Sequence, residues 1–76
     1  ILEPVQSLAG VVSADPAWLT ALAAKARAAG TLLILDEIQT GVGRLGKPYA
    51  AEGYGVQPDL ITSAKGLASG VPIGAA

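Results

Sequence analysis

Between residues 16 and 29, apolar side chains recur at every third or fourth position. The residues that keep this spacing are Leu19, Leu22, Ala26 and Ala29. Because residues three and four apart share one face of an α-helix, the pattern predicts an amphipathic helix with a single apolar stripe.

Both ends of this helix carry boundary signals. Asp15 is a favoured N-cap residue, and Pro16 suits the first helical position, where a missing N–H costs nothing. Lys25 and Arg27 fall near the C-terminal end, where cations suit the helix dipole, and Gly30 can adopt the left-handed conformation that ends a helix.

Short apolar runs around the helix predict strands. The run TLLIL at residues 31–35 and the run LITSA at residues 60–64 are typical of parallel strands buried on both faces. Residues 1–3 predict a strand end stopped by Pro4, and residues 73–76 predict the start of another strand. This order predicts an α/β fold, with a mainly parallel sheet and a flanking helix.

The remaining stretches lack a regular period. Residues 6–15 and the segment GLASGVP at residues 66–72 are typical of loops and turns. Residues 36–54 are rich in glycine, and only residues 49–52 predict a helical turn. Both ends of the chain resemble strand interiors, so we interpret residues 1–76 as part of one domain from a longer chain.

Composition excludes several classes of function. The 76 residues carry a net charge of −1 with scattered charges, which gives nucleic acid no electrostatic footprint. No apolar run approaches the roughly 18 residues that span a bilayer, so no membrane partner is expected. The chain has no Cys and no His, which excludes thiolate zinc sites and Ser-His-Asp chemistry within it. The absence of Cys also agrees with a cytoplasmic enzyme.

The segment GVGRLG, from Gly41 to Gly46, matches the spacing of a dinucleotide-binding loop. A true NAD loop follows its strand directly and opens a helix at its last glycine. Here five residues separate the strand from Gly41, and Pro48 and Gly53 interrupt any helix that could follow. The glycines are therefore interpreted as turn residues, and the NAD hypothesis is disfavoured.

Asp36 and Lys65 each follow a predicted strand. Asp36 could cap nearby backbone N–H groups, and Lys65 could extend to solvent along its apolar stem. The carboxyl ends of neighbouring parallel strands meet at one edge of a sheet, where ligands bind. A lysine that forms a Schiff base and an aspartate that holds a ring nitrogen are the two requirements of a pyridoxal 5′-phosphate (PLP) site.

A longer series of motifs surrounds these two residues. It comprises LEPVQ at the start of the chain, DEIQTG, GRLG, Glu52 followed by GVQPD, and AKGL followed by GVPIGA. In this order the motifs resemble the cofactor-binding core of class III aminotransferases, which include ornithine, acetylornithine and 4-aminobutyrate aminotransferases. The resemblance implies the large domain of a fold type I PLP enzyme that moves an amino group from an amino acid or amine to a 2-oxo acid or aldehyde.

The resemblance implies catalytic roles for Lys65 and Asp36 and cofactor contacts for both. Lys65 would form the Schiff base and move a proton between Cα and C4′ of the substrate adduct, while Asp36 would pair with the pyridinium nitrogen. Ile38 would pack on one face of the ring, although it could instead be a core residue. Gln39 would hydrogen-bond near the phenolic oxygen of the ring.

Other implied features lie around the site. Glu37 is expected to be a structural or supporting carboxylate, and Glu3 is expected to anchor the loop beside the site. Arg44 is expected to tie the glycine loop to neighbouring backbone or to a partner subunit. The resemblance also implies a homodimer with the site at the interface between its subunits.

The opening segment departs from the family. The ornithine and 4-aminobutyrate branch has Gly and Glu after its EP-x-Q segment, and that Glu pairs with a substrate-binding arginine. Ser7 and Leu8 occupy these positions here, so ornithine-like dual specificity is in doubt. A PLP aminomutase or epimerase on the same scaffold stays an alternative, as does a non-catalytic module, which the retained Lys65 disfavours.

Overall fold

The computed structural model describes all residues from 1 to 76. Its elements in chain order are β1 (Val5–Gln6), β2 (Val12–Ser13), α1 (Pro16–Ala28), β3 (Ile34–Asp36), α2 (Ala50–Tyr54), β4 (Leu60–Thr62) and a 3₁₀ turn (Lys65–Ala68). β1 and β2 pair antiparallel, and β3 and β4 pair in parallel. The chain is therefore α/β, but it contains small sheets of both kinds where a mainly parallel sheet was expected.

β3 is the central strand of its sheet. Its register with β4 pairs Ile34 with Leu60, Leu35 with Ile61 and Asp36 with Thr62. On the other side of β3, Leu2 forms a parallel bridge: its N–H donates to the Ile34 carbonyl at 3.1 Å, and its carbonyl accepts from the Asp36 N–H at 2.8 Å. The parallel arrangement predicted for these three segments is confirmed.

The core lies on one face of β3. Its buried members are Leu19, Leu33, Leu35, Ala51 and Val56. These residues come from α1, β3 and the α2 region, so the helices cover the face that Leu33 and Leu35 present. Leu32 is 64% exposed and Leu60 is 41% exposed. The expectation that both central strands are buried on both faces is therefore wrong for this chain, because helices cover only one face.

The first turn of α1 follows the sequence signals. The Asp15 carboxylate accepts a hydrogen bond from the Trp18 N–H at 2.8 Å, and Pro16 occupies the first helical position. The side chain of Asp15 therefore satisfies one of the backbone donors that a helix start leaves free.

The last turn of α1 also follows the sequence signals, but the helix ends at Ala28, one residue earlier than predicted. Gly30 is left-handed, with a φ of 64°, and the Thr31 N–H donates back to the Ala26 carbonyl at 2.9 Å. Leu19 is buried on the apolar stripe, whereas Ala29 lies beyond the helix and is exposed. The apolar stripe therefore does not extend to Ala29, the last position that the spacing predicted for it.

The antiparallel pair β1–β2 was not predicted. Its register pairs Val5 with Ser13 and Gln6 with Val12. Gly10 and Val11, with φ values of 102° and 59°, reverse the chain between the two strands. Strands of two residues are too short to show a period, which is why the sequence pattern of residues 6–15 predicts only a loop.

Residues 36–54 are largely irregular, as the sequence predicts. After β3 the chain runs through turns as far as α2, which is a single short helix over Ala50–Tyr54, near the predicted residues 49–52. Of residues 73–76, only Ala75 pairs, in an antiparallel bridge with Ser63. Neither helix has the length and apolar character that crossing a bilayer requires.

Replacing Asp15 tests the cap of α1. Asp15→Ala is expected to lower the free energy of unfolding by about 1 kcal/mol, because the Trp18 N–H loses its partner. Asp15→Asn keeps an oxygen at the same place and is the matched control. Denaturant unfolding of the protein that carries this chain measures both, and equal stabilities for the two variants would contradict the capping role.

Candidate active site

A cavity of about 660 Å³ lies at the carboxyl end of the central sheet. Three segments supply its walls: the β1–β2 arm, the loop that follows β3, and the start of the 3₁₀ turn. Lys65, Ile38 and Gln39 all line it. Three of the four residues expected to contact a cofactor therefore share one cavity, although they are up to 27 positions apart in the chain.

Unfavourable backbone conformations concentrate around this cavity. Only four non-glycine residues have positive φ, and three of them, Val11, Val42 and Lys65, line the cavity with φ values of 59°, 55° and 45°. A left-handed β-branched residue such as valine is an outlier, because its side chain crowds the backbone. Conformations of this kind cost about 1–3 kcal/mol each and collect at functional sites.

Lys65 begins the 3₁₀ turn three residues after Thr62, where β4 ends. Its side chain is exposed, as a solvent-directed lysine would be. Its backbone is nevertheless strained and lines the cavity, which a simple surface lysine does not require. Gly66 follows it, and a side chain at Gly66 would approach the Cβ of Val42 to 3.4 Å. Val42 of the glycine loop, residues 41–46, therefore lies next to the turn that carries Lys65.

Asp36 ends β3 directly opposite Thr62. Its Oδ1 accepts hydrogen bonds from the Ile38 N–H at 3.1 Å and from the Thr62 hydroxyl at 3.0 Å. Asp36 is half-buried and is not among the residues that line the cavity. Oδ1 thus caps the nearby Ile38 N–H, which is the local role that the sequence allowed for Asp36. Oδ2 makes no hydrogen bond within the chain.

Ile38 and Gln39 follow in the same loop and are both half-buried. Ile38 does not belong to the core cluster under the helices. It lines the cavity instead. The structure therefore puts an apolar side chain and an amide on the cavity wall next to Asp36.

Glu37 is the buried acid of the site region and is only 1% exposed. Its carboxylate accepts from the Ala50 N–H at 2.6 Å, from the Ala51 N–H at 2.8 Å and from the Thr40 hydroxyl at 3.1 Å. Glu37 therefore caps the N-terminus of α2, although it lies 13 residues before Ala50 in the sequence. The structural role expected for Glu37 is correct, but its partners could not be identified without the fold.

The glycine loop has close contacts at its first residue. A side chain at Gly41 would meet the Glu37 carbonyl at 2.8 Å and the Tyr49 ring at 3.0 Å. Gly43 and Gly46 are left-handed, with φ values of 83° and 84°. No helix opens at Gly46. The loop therefore lacks the helix N-terminus that an NAD pyrophosphate requires, and its glycines serve turns and close packing.

The β1–β2 arm forms the remaining wall. The Glu3 carboxylate accepts from the Ser7 N–H at 3.3 Å, so Glu3 anchors this arm beside the cavity, as expected. The Ser7 hydroxyl is buried without a partner. Leu8 is 95% exposed, and Arg44 is exposed on the opposite wall.

These residues fit the chemistry of a pyridoxal cofactor. Lys65, Ile38 and Gln39 line the cavity, and Asp36 at the end of β3 has one carboxylate oxygen that makes no hydrogen bond within the chain. An amine, an apolar platform and an anion are the groups that such a cofactor needs at its aldehyde, its ring face and its ring nitrogen.

Comparison with known proteins identifies the family of this chain. The family described as aminotransferase class-III matches residues 1–76, the whole chain. The chain belongs to the class III aminotransferase family. Enzymes of this family use PLP, and the family resemblance inferred from the motifs is confirmed.

Similar sequences within this family include amino-acid transaminases from bacteria. An acetylornithine aminotransferase of Lactiplantibacillus plantarum is 57% identical over 75 residues, which cover 99% of this chain and 19% of that protein. A succinylornithine transaminase of Photorhabdus laumondii is 56% identical over 75 residues, again 99% of this chain and 19% of that protein. The chain therefore spans about a fifth of the length of these relatives.

Solved structures of family members share the fold. An (S)-enantioselective omega-transaminase from Thermomicrobium roseum aligns with a TM-score of 0.90 at 49% identity, covering 96% of this chain and 17% of that one. An N-acetylornithine aminotransferase from Stenotrophomonas maltophilia aligns with a TM-score of 0.92 at 40% identity, covering 96% and 20%. The α/β arrangement described above is therefore the arrangement of this segment in class III aminotransferases.

Replacing Glu37 tests the buried anchor of the loop. Glu37→Gln is expected to lower the free energy of unfolding by about 2 kcal/mol, because an amide NH₂ would face backbone donors and leave one of them unsatisfied. Glu52→Gln makes the same change at an exposed position of α2, and its effect should stay below about 0.5 kcal/mol. Denaturant unfolding compares the two, and equal losses would show that the buried hydrogen bonds are unimportant.

Proposed function

We propose that the protein carrying this chain is a PLP-dependent aminotransferase, and that Lys65, Asp36, Ile38 and Gln39 form its cofactor site. It would transfer an amino group from an amino acid or amine to a 2-oxo acid or aldehyde. The observation that carries the proposal is the cavity that a left-handed, strained Lys65 lines together with Ile38 and Gln39. Family membership over all 76 residues supports the same chemistry.

When bound, PLP supplies a protonated aromatic ring that withdraws electrons from the carbon undergoing reaction. Lys65 would bind the aldehyde carbon and, once released by the substrate, move the proton between Cα and C4′. It is the only lysine among the residues that line the cavity, so no other amine of this chain competes for the role.

Asp36 would keep the ring nitrogen protonated through its free carboxylate oxygen. An anion next to a cationic ring favours the charged form of that ring, because the attraction acts in a partly desolvated site. Ile38 would cover one face of the ring and exclude water from it. Gln39 would orient the ring by hydrogen-bonding close to its phenolic oxygen.

The proposal extends to the wider fold and assembly. We place the chain in the large domain of a fold type I PLP enzyme, which the structural alignment with solved transaminases supports. We also propose a cytoplasmic homodimer in which the partner subunit completes the site. The exposed Arg44 on the glycine loop is then available to contact that subunit.

We propose a broader class of amino donors than the names of the relatives indicate. Two of the similar proteins are transaminases of acetylornithine and succinylornithine. Leu8 is an exposed apolar residue where the ornithine and 4-aminobutyrate branch carries Glu, so we expect amino donors to include substrates that need no charge pair there. A panel of N-acylated ornithines and simple amines with pyruvate or 2-oxoglutarate distinguishes these donors. Conversion without any oxo acceptor would instead indicate an aminomutase or epimerase.

Chemical labelling tests the central residue. Borohydride reduction of the PLP-loaded full-length protein, followed by peptide mapping, is expected to give one pyridoxyl group, on Lys65. Lys65→Ala should abolish the label and reduce the transamination rate by about 10³-fold or more, because both covalent binding and proton transfer are lost.

Lys25→Ala is the matched control, because Lys25 is an exposed lysine in the last turn of α1. This variant should keep both label and activity. A pyridoxyl group on a different lysine, or full turnover by Lys65→Ala, would refute the proposed function.

A further inference from the structure

Thr62 contacts the candidate site through two different groups. Its hydroxyl donates to Asp36 Oδ1 at 3.0 Å, and its carbonyl accepts from the Glu37 N–H at 3.0 Å. Thr62 therefore holds two successive residues at the point where the chain leaves β3. It can do so because the parallel register sets Thr62 directly opposite Asp36.

The hydrogen bonds to Asp36 are unevenly distributed between its two oxygens. Oδ1 accepts from both the Thr62 hydroxyl and the Ile38 N–H. Oδ2 has no hydrogen bond within the chain, and it is not among the buried polar atoms that lack a partner, of which the Ser7 hydroxyl is the only one. Oδ2 therefore keeps access to solvent or to a ligand.

We propose that Thr62 is a positioning residue, which orients the Asp36 carboxylate so that Oδ2 stays free to meet the cofactor ring nitrogen. This inference rests on the proposed function of Asp36. Two donors from different directions on Oδ1 restrict rotation of the carboxylate, so the orientation is set before any ligand binds. Pre-organisation of this kind strengthens binding because less ordering remains to be done in the complex.

Loss of the hydroxyl removes one of the two restraints. Thr62→Val has nearly the same shape and keeps a β-branched residue suited to a strand, but it donates no hydrogen bond. Without this hydrogen bond the Asp36 carboxylate samples other orientations in the free protein, and a fall of the binding-competent orientation to about a tenth of the population weakens binding roughly tenfold. Thr62→Ser restores the donor and should bind PLP within about twofold of the unsubstituted protein.

The experiment measures PLP affinity by titrating the apo form of the full-length protein and following the absorbance of the bound cofactor. Thr62→Val should bind PLP roughly tenfold more weakly. The pH at which the absorbance of the bound cofactor changes should also shift upward, because a less firmly protonated ring withdraws less charge from the Lys65 nitrogen. A residue that only supports the fold would not move this pH.

A double-mutant cycle tests whether Thr62 acts through Asp36. In an Asp36→Ala background the Thr62 hydroxyl has no carboxylate to hold, so Thr62→Val should change PLP affinity by less than about twofold. Equal effects of Thr62→Val in both backgrounds would overturn the inference, and so would a Thr62→Ser variant that behaves like Thr62→Val.

The outcomes also separate this inference from the proposed function. If the unsubstituted protein binds PLP on Lys65 and Thr62→Val leaves affinity and absorbance unchanged, only the role of Thr62 fails. If the unsubstituted protein binds no PLP, or carries it on another lysine, the proposed function fails and the role of Thr62 fails with it.

Discussion

The parallel pairing of β3 with β4 is the constraint on which the candidate site depends. The paired stretch ends with Asp36 opposite Thr62. The segments that follow β3 and β4 therefore leave the sheet side by side in the same direction. The loop after β3 and the turn after β4 then form neighbouring walls of one cavity. A shift of one residue in this register would turn Asp36 and Thr62 to opposite faces, because side chains alternate along a strand.

The loop after β3 needs an anchor because it contains few regular hydrogen bonds. Glu37 provides it, as a carboxylate that is 1% exposed and accepts from two backbone N–H groups at the start of α2. Burying a charge is costly unless hydrogen bonds compensate, and here three donors surround it. This anchor helps to offset the strain at Val42, whose left-handed backbone would relax in a loosely held loop.

The β1–β2 arm forms one wall of the cavity and is held by a local contact. Glu3 holds the arm through the Ser7 N–H. Ser7 is one of the residues that line the cavity, and its hydroxyl is buried without a hydrogen-bond partner. Leu8 extends away, almost fully exposed. The arm is therefore held in place by a contact that does not involve Leu8.

The sequence by itself determined the elements whose causes are local. The cap at Asp15, the stop at Gly30 and the apolar run before Asp36 depend on neighbouring residues only, and all appear in the structure close to where they were expected. The family was also evident from the order of its motifs. The absence of a helix that opens at Gly46 was predictable too, because Pro48 disfavours a helix that runs through it. The short helix α2 begins only at Ala50.

Tertiary structure alone decided the features that join distant segments. The backbone partners of Glu37 lie 13 and 14 residues away, and the Thr62 hydroxyl that donates to Asp36 lies 26 residues away on another strand. The β1–β2 pairing and the left-handed Lys65 likewise arise from packing rather than from local preference, since valine and lysine rarely adopt positive φ. Local patterns report which conformation a segment prefers, whereas the site depends on which segments meet, and that is set by strand register and burial.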